Sequence, residues 1–438
     1  MITEEVTKEI VESVKYVNLQ FTDIVGHLRS ITVTKSELEQ NNFLEFGLDG
    51  SSIEGFTTID NSDLLLKPVL DTFVVYPWDK RIGRVFCEIV EPSGEPFPGD
   101  TRFLLKGYLE KIEKEFNYKY YTGSEIEFFL IDGKKPSDNA SYFSSEYLDF
   151  HSYFRLEMAE ILEHFGIKPE FLHHEVAPGQ HEINFRYAEA LRTADNIQTY
   201  KFIVRQLASN FSLIATFMPK PFINLNGSGI HIHQSLVDTK TNNNVFNGEK
   251  GLSELGKMFI AGLIKYSKDI LLFLAPTVNS YKRLVPGFEA PIYSSWGIGN
   301  RSTLIRIPTY KLRKNRTITI EFRASDPTCN PYIAFTVLLA AGMEGIREKL
   351  EPSEQVSENL FSMDVDERRE KYPLLPTSLI EALENSKKNP FLKEVLGEHI
   401  FNSFIKIKEK EFQEYTLIEE KSNSKKITEW EWKKYLNY

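Results

Sequence analysis

Four segments of the 438-residue chain carry polar residues two apart inside otherwise apolar, strand-like runs. They are Glu125 and Glu127 in SEIEFFL, Glu182 and Asn184 in HEINF, His231 and His233 in GIHIHQS, and Glu321 and Arg323 in TITIEFR. Side chains of a strand alternate between faces, so residues two apart share one face of a sheet. Any single pair alone is read first as the wet face of an antiparallel sheet. Together they point to carboxylates and imidazoles gathered on one surface. Crowded, buried carboxylates are unfavourable unless cations compensate them. Carboxylate oxygens with an occasional imidazole suit Mg²⁺ or Mn²⁺, and no cysteine lies near these pairs to favour structural zinc.

Other motifs yield less. HHEVAPGQHE at 173–182 has His174 and Glu175 adjacent but no histidine at the HExxH spacing, and Pro178 and Gly179 interrupt any helix, so a zinc protease is rejected. GLSELGKM at 251–258 has the glycine spacing of a P-loop, but Met258 stands where a hydroxyl should touch Mg²⁺, and a helix surface is expected instead. DGSSIEG at 49–55 and NGSG at 226–229 could present backbone N–H groups to a ligand, or simply turn the chain.

The elements that must position these residues fall into two groups. Residues 16–95 read as short strands, YVNLQFTD, HLRSITVT, DLLLKP, FVVYPW and RVFCEIV, with one helix-like stretch, KSELEQ. The Pro- and Gly-rich EPSGEPFPGDT places a division near residue 100, giving domains 1–100 and 101–438. Beyond it, strands mix with long helices such as FRLEMAEILEHF and PYIAFTVLLAAGMEGIREKL, an α+β pattern. The aromatic end, ITEWEWKKYLNY, is expected to dock on the rest of the protein.

Composition excludes several function classes. A net charge of −10 without a basic stripe argues against a nucleic-acid surface. No apolar run approaches a membrane span, ILLFLAP at 270–276 being too short, so no membrane role is expected. The acidic start MITEEVTKEIVESVKYV reads as a surface helix rather than a targeting peptide, and two unpartnered cysteines, Cys87 and Cys329, fit a reducing cytoplasm.

The segments LDGSSIEGF, SEIEFFL, HHEVAPGQHEINF, NGSGIHIHQSL, NSYKRLVPGFEAP, NRSTLIRIP, IEFRASDPTCNPYIAF and WEWKKYLNY occur in this order. In that order and spacing the chain resembles, over essentially its whole length, the class I prokaryotic glutamine synthetases, of an alpha-like subtype. The resemblance implies an N-terminal β-grasp domain and a large catalytic domain with an antiparallel sheet and flanking helices. It further implies a homo-oligomer, a dodecamer of two hexameric rings with active sites between subunits. The implied reaction uses ATP to phosphorylate the glutamate γ-carboxylate, after which ammonia displaces phosphate to give glutamine, with two or more Mg²⁺ or Mn²⁺ per site. A small regulatory protein partner is left open.

Residue by residue, the resemblance gives Glu127, Glu175 and Glu182 to the metal near the substrate, and Glu125, His231 and Glu321 to the metal among the phosphates. Arg301 and Arg306 would stabilise the transferring phosphoryl group. Arg283 and Arg323 would hold the glutamate carboxylates, with Asn226 and Gly227 beside the amino-acid backbone. Asp49, from a neighbouring subunit, would bind ammonium and take its proton. Glu289 would close over the site, and Ser52 and Tyr142 would line that pocket. Tyr187, His233, Ser235 and Arg316 would contact the nucleotide.

The chain also departs from the family pattern. Thr319 and Gly299 stand where arginines are usual, which puts part of the phosphate contact in doubt; Arg313 or Arg316 could substitute for the first. Phe361 replaces the tyrosine that is adenylylated in relatives, so that control is not expected, and Thr58 replaces an arginine of glutamine feedback. The alternative within the family is a ligase joining glutamate to another amine or a polyamine, against which Asp49, Ser52 and Glu289 stand, since they form a compact anionic site suited to ammonium. A non-catalytic homologue would not keep all the metal ligands.

Overall fold

The computed structural model describes residues 14–41, 44–249, 251–312, 317–422 and 426–438. The surface helix expected at the N-terminus falls mainly on residues 1–13, outside the described residues.

In the first strand, Tyr16–Thr22, Val17, Leu19 and Phe21 alternate and are buried, so the chain lays one apolar face on a core. The small sheet runs in the order Leu28–Thr34, Tyr16–Thr22, Asp79–Val90, Asp63–Pro68 and Phe46–Asp49, with Val74–Tyr76 also paired to the long strand. Tyr16–Thr22 is parallel to Asp79–Val90, which places a crossover between them. KSELEQ is a helix, Lys35–Gln40, whose first turn is capped by Thr34 accepting from the Glu37 N–H. Asp49 closes the last strand and caps a short 3₁₀ turn, Gly50–Ser52.

The larger sheet is organised on one strand, Tyr118–Asp132. Its order is Trp296–Ile298, Ile305–Ile307, Ile320–Phe322, Ile230–Asp238, Tyr118–Asp132, Gln180–Phe185, Pro169–His174. Every neighbouring pair along this path is antiparallel except the first, where Trp296–Ile298 runs parallel to Ile305–Ile307. The antiparallel sheet expected from the sequence therefore carries one parallel edge strand. The TITIEFR segment contributes only Ile320–Phe322 as strand.

Alternation on the central strand splits its side chains. Ile126, Phe128 and Leu130 enter the main core, where the helices Thr101–Phe116, Ala190–Asn210 and Pro331–Arg347 pack. Glu125 and Glu127 point the other way, and further along the same face Phe129 and Ile131 are covered by Trp432, Tyr435 and Tyr438 of the C-terminal segment. The aromatic end thus docks as its composition suggests. GLSELGKM opens a helix, Glu254–Lys265, capped by Ser253, as the missing hydroxyl implied. No helix among the described residues is long and apolar enough to cross a membrane.

Asn330 joins the two parts of the chain. Its Oδ1 caps the helix Pro331–Arg347 at the N–H groups of Tyr332 (3.0 Å) and Ile333 (3.4 Å). Its Nδ2 donates to the carbonyls of Asp23 (3.0 Å) and Ile24 (3.2 Å) in the small domain. Asn330→Ala removes a cap, the donor to the Ile24 carbonyl and one of the two donors to the Asp23 carbonyl, which keeps the Gly26 N–H, so it should destabilise the fold by about 2–3 kcal/mol, read as a lowered urea or thermal midpoint.

Candidate active site and metal centre

Strand register brings the polar pairs together. Glu125 lies opposite His231, Glu127 opposite Glu182, and His233 opposite Glu321. Glu182 also faces His173 on its other side, and Glu175 follows at the hairpin that joins these strands. Three overlapping groups of ligand atoms result: Glu125, His231 and Glu321; Glu127, Glu182 and His231; and His173, Glu175 and Glu182. Within each, the ligand atoms lie within 4.8 Å of one another.

Local contacts fix the ligands. Glu127 accepts from Gly229 N (2.8 Å) and Gln180 Nε2 (3.1 Å). A Cβ at Gly229 would stand 2.4 Å from Arg283 Nη2 and displace that guanidinium. Gly227 is constrained, since its Cβ would meet the Pro219 carbonyl at 2.2 Å. Glu125 contacts His233 Nε2 at 3.0 Å and His231 Nδ1 at 3.3 Å. Glu175 Oε1 lies 2.8 Å from His173 Nε2. Both oxygens of Glu321 accept from arginines, Arg306 Nη1 at 2.7 Å and Arg323 Nη1, leaving further lone pairs for another partner.

The electrostatics show what the site lacks. Burial, reinforced by Glu175, pushes the Glu127 carboxyl up to about 8. Burial and the neighbouring Glu125, Glu127 and Glu175 raise Glu182 well above the usual range. Burial, aided by Arg323, lowers His231 to about 4, so its imidazole is neutral with a lone pair to offer. Burial would raise Glu125 and Glu321, but His233 and His231 hold Glu125 below its ordinary value, and Arg323 and His233 hold Glu321 down to about 2. Raised carboxyls and a neutral imidazole on one surface would be relieved by a divalent cation with oxygen-rich coordination. The donor set therefore fits Mg²⁺ or Mn²⁺ in kind.

A cavity of about 470 Å³ opens over this surface. Of the residues singled out from sequence, Glu125, Glu127, Glu175, Glu182, His231, Asn226, Gly227, Arg283, Glu289, Arg301, Arg306, Arg323 and Tyr142 line it. Glu321 is wholly buried just behind, against Arg306 and Arg323. Burial lowers the pKa of the Arg283 guanidinium, which is anchored by 3.2 Å bonds to the carbonyls of Arg323, Ala324 and Ser325. Glu289 sits in the left-handed backbone region at φ 59° and accepts from Asn226 Nδ2 at 3.0 Å.

A second cavity of about 370 Å³ adjoins the first and holds Tyr187, His233, Ser235 and Thr319, with Glu125, Phe171, Asn184 and Tyr310 shared between the two. Thr319 Oγ1 lies 3.3 Å from His233 Nδ1. Tyr187 is 60% exposed, so ordinary core packing does not account for it. Arg313 and Arg316 lie outside the described residues. Asp49 and Ser52 do not line either cavity of this chain; both are exposed on the small domain, where Ser51 and then Ser52 hydrogen-bond the Asp49 carboxylate and hold its pKa down.

Among the lining residues with polar side chains, Gln180, His173 and Tyr310 escaped the sequence reading. Gln180 bridges Glu127 Oε2 and the Gly227 carbonyl, both at 3.1 Å. The same alternation that paired Glu182 with Asn184 extends back to Gln180, so the signal was present. Tyr310 follows a short strand and has no periodic signature.

The fold and site define a two-domain chain whose larger sheet carries carboxylates arranged for divalent cations. Two family models cover it: the glutamine synthetase β-grasp domain over residues 13–92 and the glutamine synthetase catalytic domain over residues 98–435. The chain belongs to the glutamine synthetase family. It is 43% identical to the glutamine synthetase of Thermotoga maritima, covering 99% of this chain and 100% of that protein. It is 42% identical to that of Methanococcus voltae, with 97% of each covered. Among solved structures, a GmaS/ADP complex matches with a TM-score of 0.85 at 29% identity, covering 99% of both chains. The Plasmodium falciparum glutamine synthetase matches with a TM-score of 0.85 at 25% identity, over 95% of this chain and 97% of that one.

The raised carboxyls give a pH prediction. Folded Glu127 holds a proton up to about 8, whereas the unfolded side chain releases it near its ordinary value of 4.5. The folded state thus binds more protons between these values, and metal-free stability falls as pH rises through them. Added Mg²⁺ should displace those protons and raise the melting temperature more at pH 8 than at pH 6, with proton release measurable in weakly buffered solution.

Proposed function

We propose that this site makes glutamine from glutamate and ammonia, using ATP and a γ-glutamyl phosphate intermediate. The observation that carries this reading is the convergence of the Glu125–Glu127, Glu182, His231 and Glu321 side chains beneath one cavity, in a chain of this family. A carboxylate is a poor electrophile, and phosphorylation supplies the leaving group that ammonia displaces. Bound Mg²⁺ or Mn²⁺ would supply charge neutralisation of the phosphoryl oxygens. Glu127, Glu175 and Glu182 would hold one ion, and Glu125, His231 and Glu321 another.

The chain's own groups do the rest. Arg283 and Arg323 orient the glutamate carboxylates, with Asn226 and Gly227 at its backbone. Arg301 and Arg306 offer fixed positive charge where the phosphoryl group passes. Tyr187, His233 and Ser235 serve the nucleotide in the second cavity, where Thr319 leaves fewer cationic contacts, and Arg316 is assigned to the nucleotide by the family resemblance alone. Glu289 closes the glutamate side and keeps water out.

Asp49 and Ser52 complete the ammonium pocket from a neighbouring subunit, with Tyr142 on the receiving side. This is the reading under which an exposed, doubly hydrogen-bonded carboxylate at a strand end has a function. The oligomer is a dodecamer of two hexameric rings, and the compartment is the cytoplasm. The division into domains falls near residue 100.

The decisive assay supplies glutamate, ATP and Mg²⁺ with ammonium or with a panel of primary amines and polyamines, and identifies the product by mass spectrometry. Glutamine formed in preference from ammonium is the expected outcome; a preferred amine would reassign the substrate, and an assembled protein without turnover would refute the activity. Asp49→Asn should lower kcat/KM for ammonium by about a hundredfold while leaving the unfolding midpoint in place, because its side chain is exposed.

A further inference from the structure

The C-terminal helix Glu429–Tyr435 carries a carboxylate, Glu431, into the interior at 0% exposure. Its Oε1 accepts from Asn279 Nδ2 at 2.9 Å, and its Oε2 from Lys282 Nζ at 2.7 Å. The same Oε2 accepts from Thr428 N (2.7 Å) and Oγ1 (2.9 Å), which closes the cap of its own helix. Both oxygens are therefore committed to particular donors.

Asn279 carries the connection further. Its Oδ1 accepts from Lys220 N at 2.6 Å and its Nδ2 also donates to the Lys220 carbonyl at 3.0 Å. Lys220 Nζ lies 3.4 Å from the Phe288 ring centroid and donates to the Leu225 carbonyl. Each end of this network adjoins a residue of the large cavity in sequence. Lys282 precedes Arg283, Leu225 precedes Asn226 and Gly227, and Phe288 precedes Glu289. None of Asn226, Gly227, Arg283 and Glu289 lines the second cavity.

We propose that Glu431 is a positioning residue for the glutamate-binding wall, holding Arg283 and, through Asn279 and Lys220, the Asn226 and Glu289 segments in register with one another. The inference rests on the function proposed above. Without the carboxylate, Asn279 Nδ2 and Lys282 Nζ keep the carbonyls of Lys220 and Lys426 but lose the buried acceptor that joins them, and the segments that relied on it shift. Displacements of this kind act on the substrate whose contacts they carry. The nucleotide side, where His233 and Ser235 stand on a strand rather than on these loop and helix-end segments, is spared.

The test uses the assembled full-length protein with Glu431→Gln and, separately, Lys282→Met. The expected result is a glutamate KM raised about tenfold, with ADP affinity by calorimetry, ammonium KM and assembly size unchanged. Unchanged glutamate KM in an assembled Glu431→Gln protein overturns the proposal. So does a parallel loss of glutamate and ADP affinity, which marks general destabilisation. If Glu431→Gln fails to assemble, Lys282→Met decides by the same ratio of effects, since that side chain is 17% exposed and its loss leaves the Asn279 bond. Glutamate binding to the unsubstituted protein is measured without turnover, so a protein that binds no glutamate refutes the functional reading, whereas equal binding by parent and variants refutes the role of Glu431.

Discussion

The structure depends on the register of the strand Tyr118–Asp132 against its two neighbours. That register sets Glu125 opposite His231 and Glu127 opposite Glu182. A slip of one residue would turn Glu125 and Glu127 into the main core, away from His231 and Glu182, and bring Ile126 and Phe128 to the cavity. Register is held by apolar side chains on the opposite face, where Ile126, Phe128 and Leu130 are fully buried. The apolar face thus fixes the position of the charged one.

Charge placement then grades the site. Carboxylates nearest arginine or imidazole, Glu321 and Glu125, are held ionised despite their burial, whereas burial, reinforced by neighbouring carboxylates, pushes Glu127 and Glu182 toward the neutral form. The resulting surface has its greatest deficit of positive charge at Glu127 and Glu182. Arg283, Arg306 and Arg323 line the same cavity as this deficit, so an anionic substrate and a cation both find complementary groups within it.

The scaffold converts distant chain segments into rigid neighbours. Asn330 ties a helix cap to the small domain, and Glu431 ties the C-terminal helix to the turn before Arg283. Both are buried side chains whose polar atoms have specific partners, and such groups hold geometry because an unmet hydrogen bond in the interior is costly. The C-terminal aromatic residues cover the apolar continuation of the very strand face that carries Glu125 and Glu127, so the end of the described chain is part of the site's support.

The sequence by itself determined which residues share a face. Alternation is a local property of any strand, so Glu125 with Glu127, His231 with His233 and Glu182 with Asn184 could be paired before any contact was known. It also exposed the false P-loop at 251–258, because a missing hydroxyl is read directly. Ordered motifs carried the family, and with it an antiparallel sheet that proved to have one parallel edge. What only tertiary structure decided was which faces meet. The Glu127–Glu182 and His233–Glu321 registers, Gln180 as a bridge, the Glu431 network and the separation of Asp49 from this chain's own cavity all join residues far apart in sequence. Spacing along a chain says nothing of such encounters, because they are chosen by packing the whole apolar core at once.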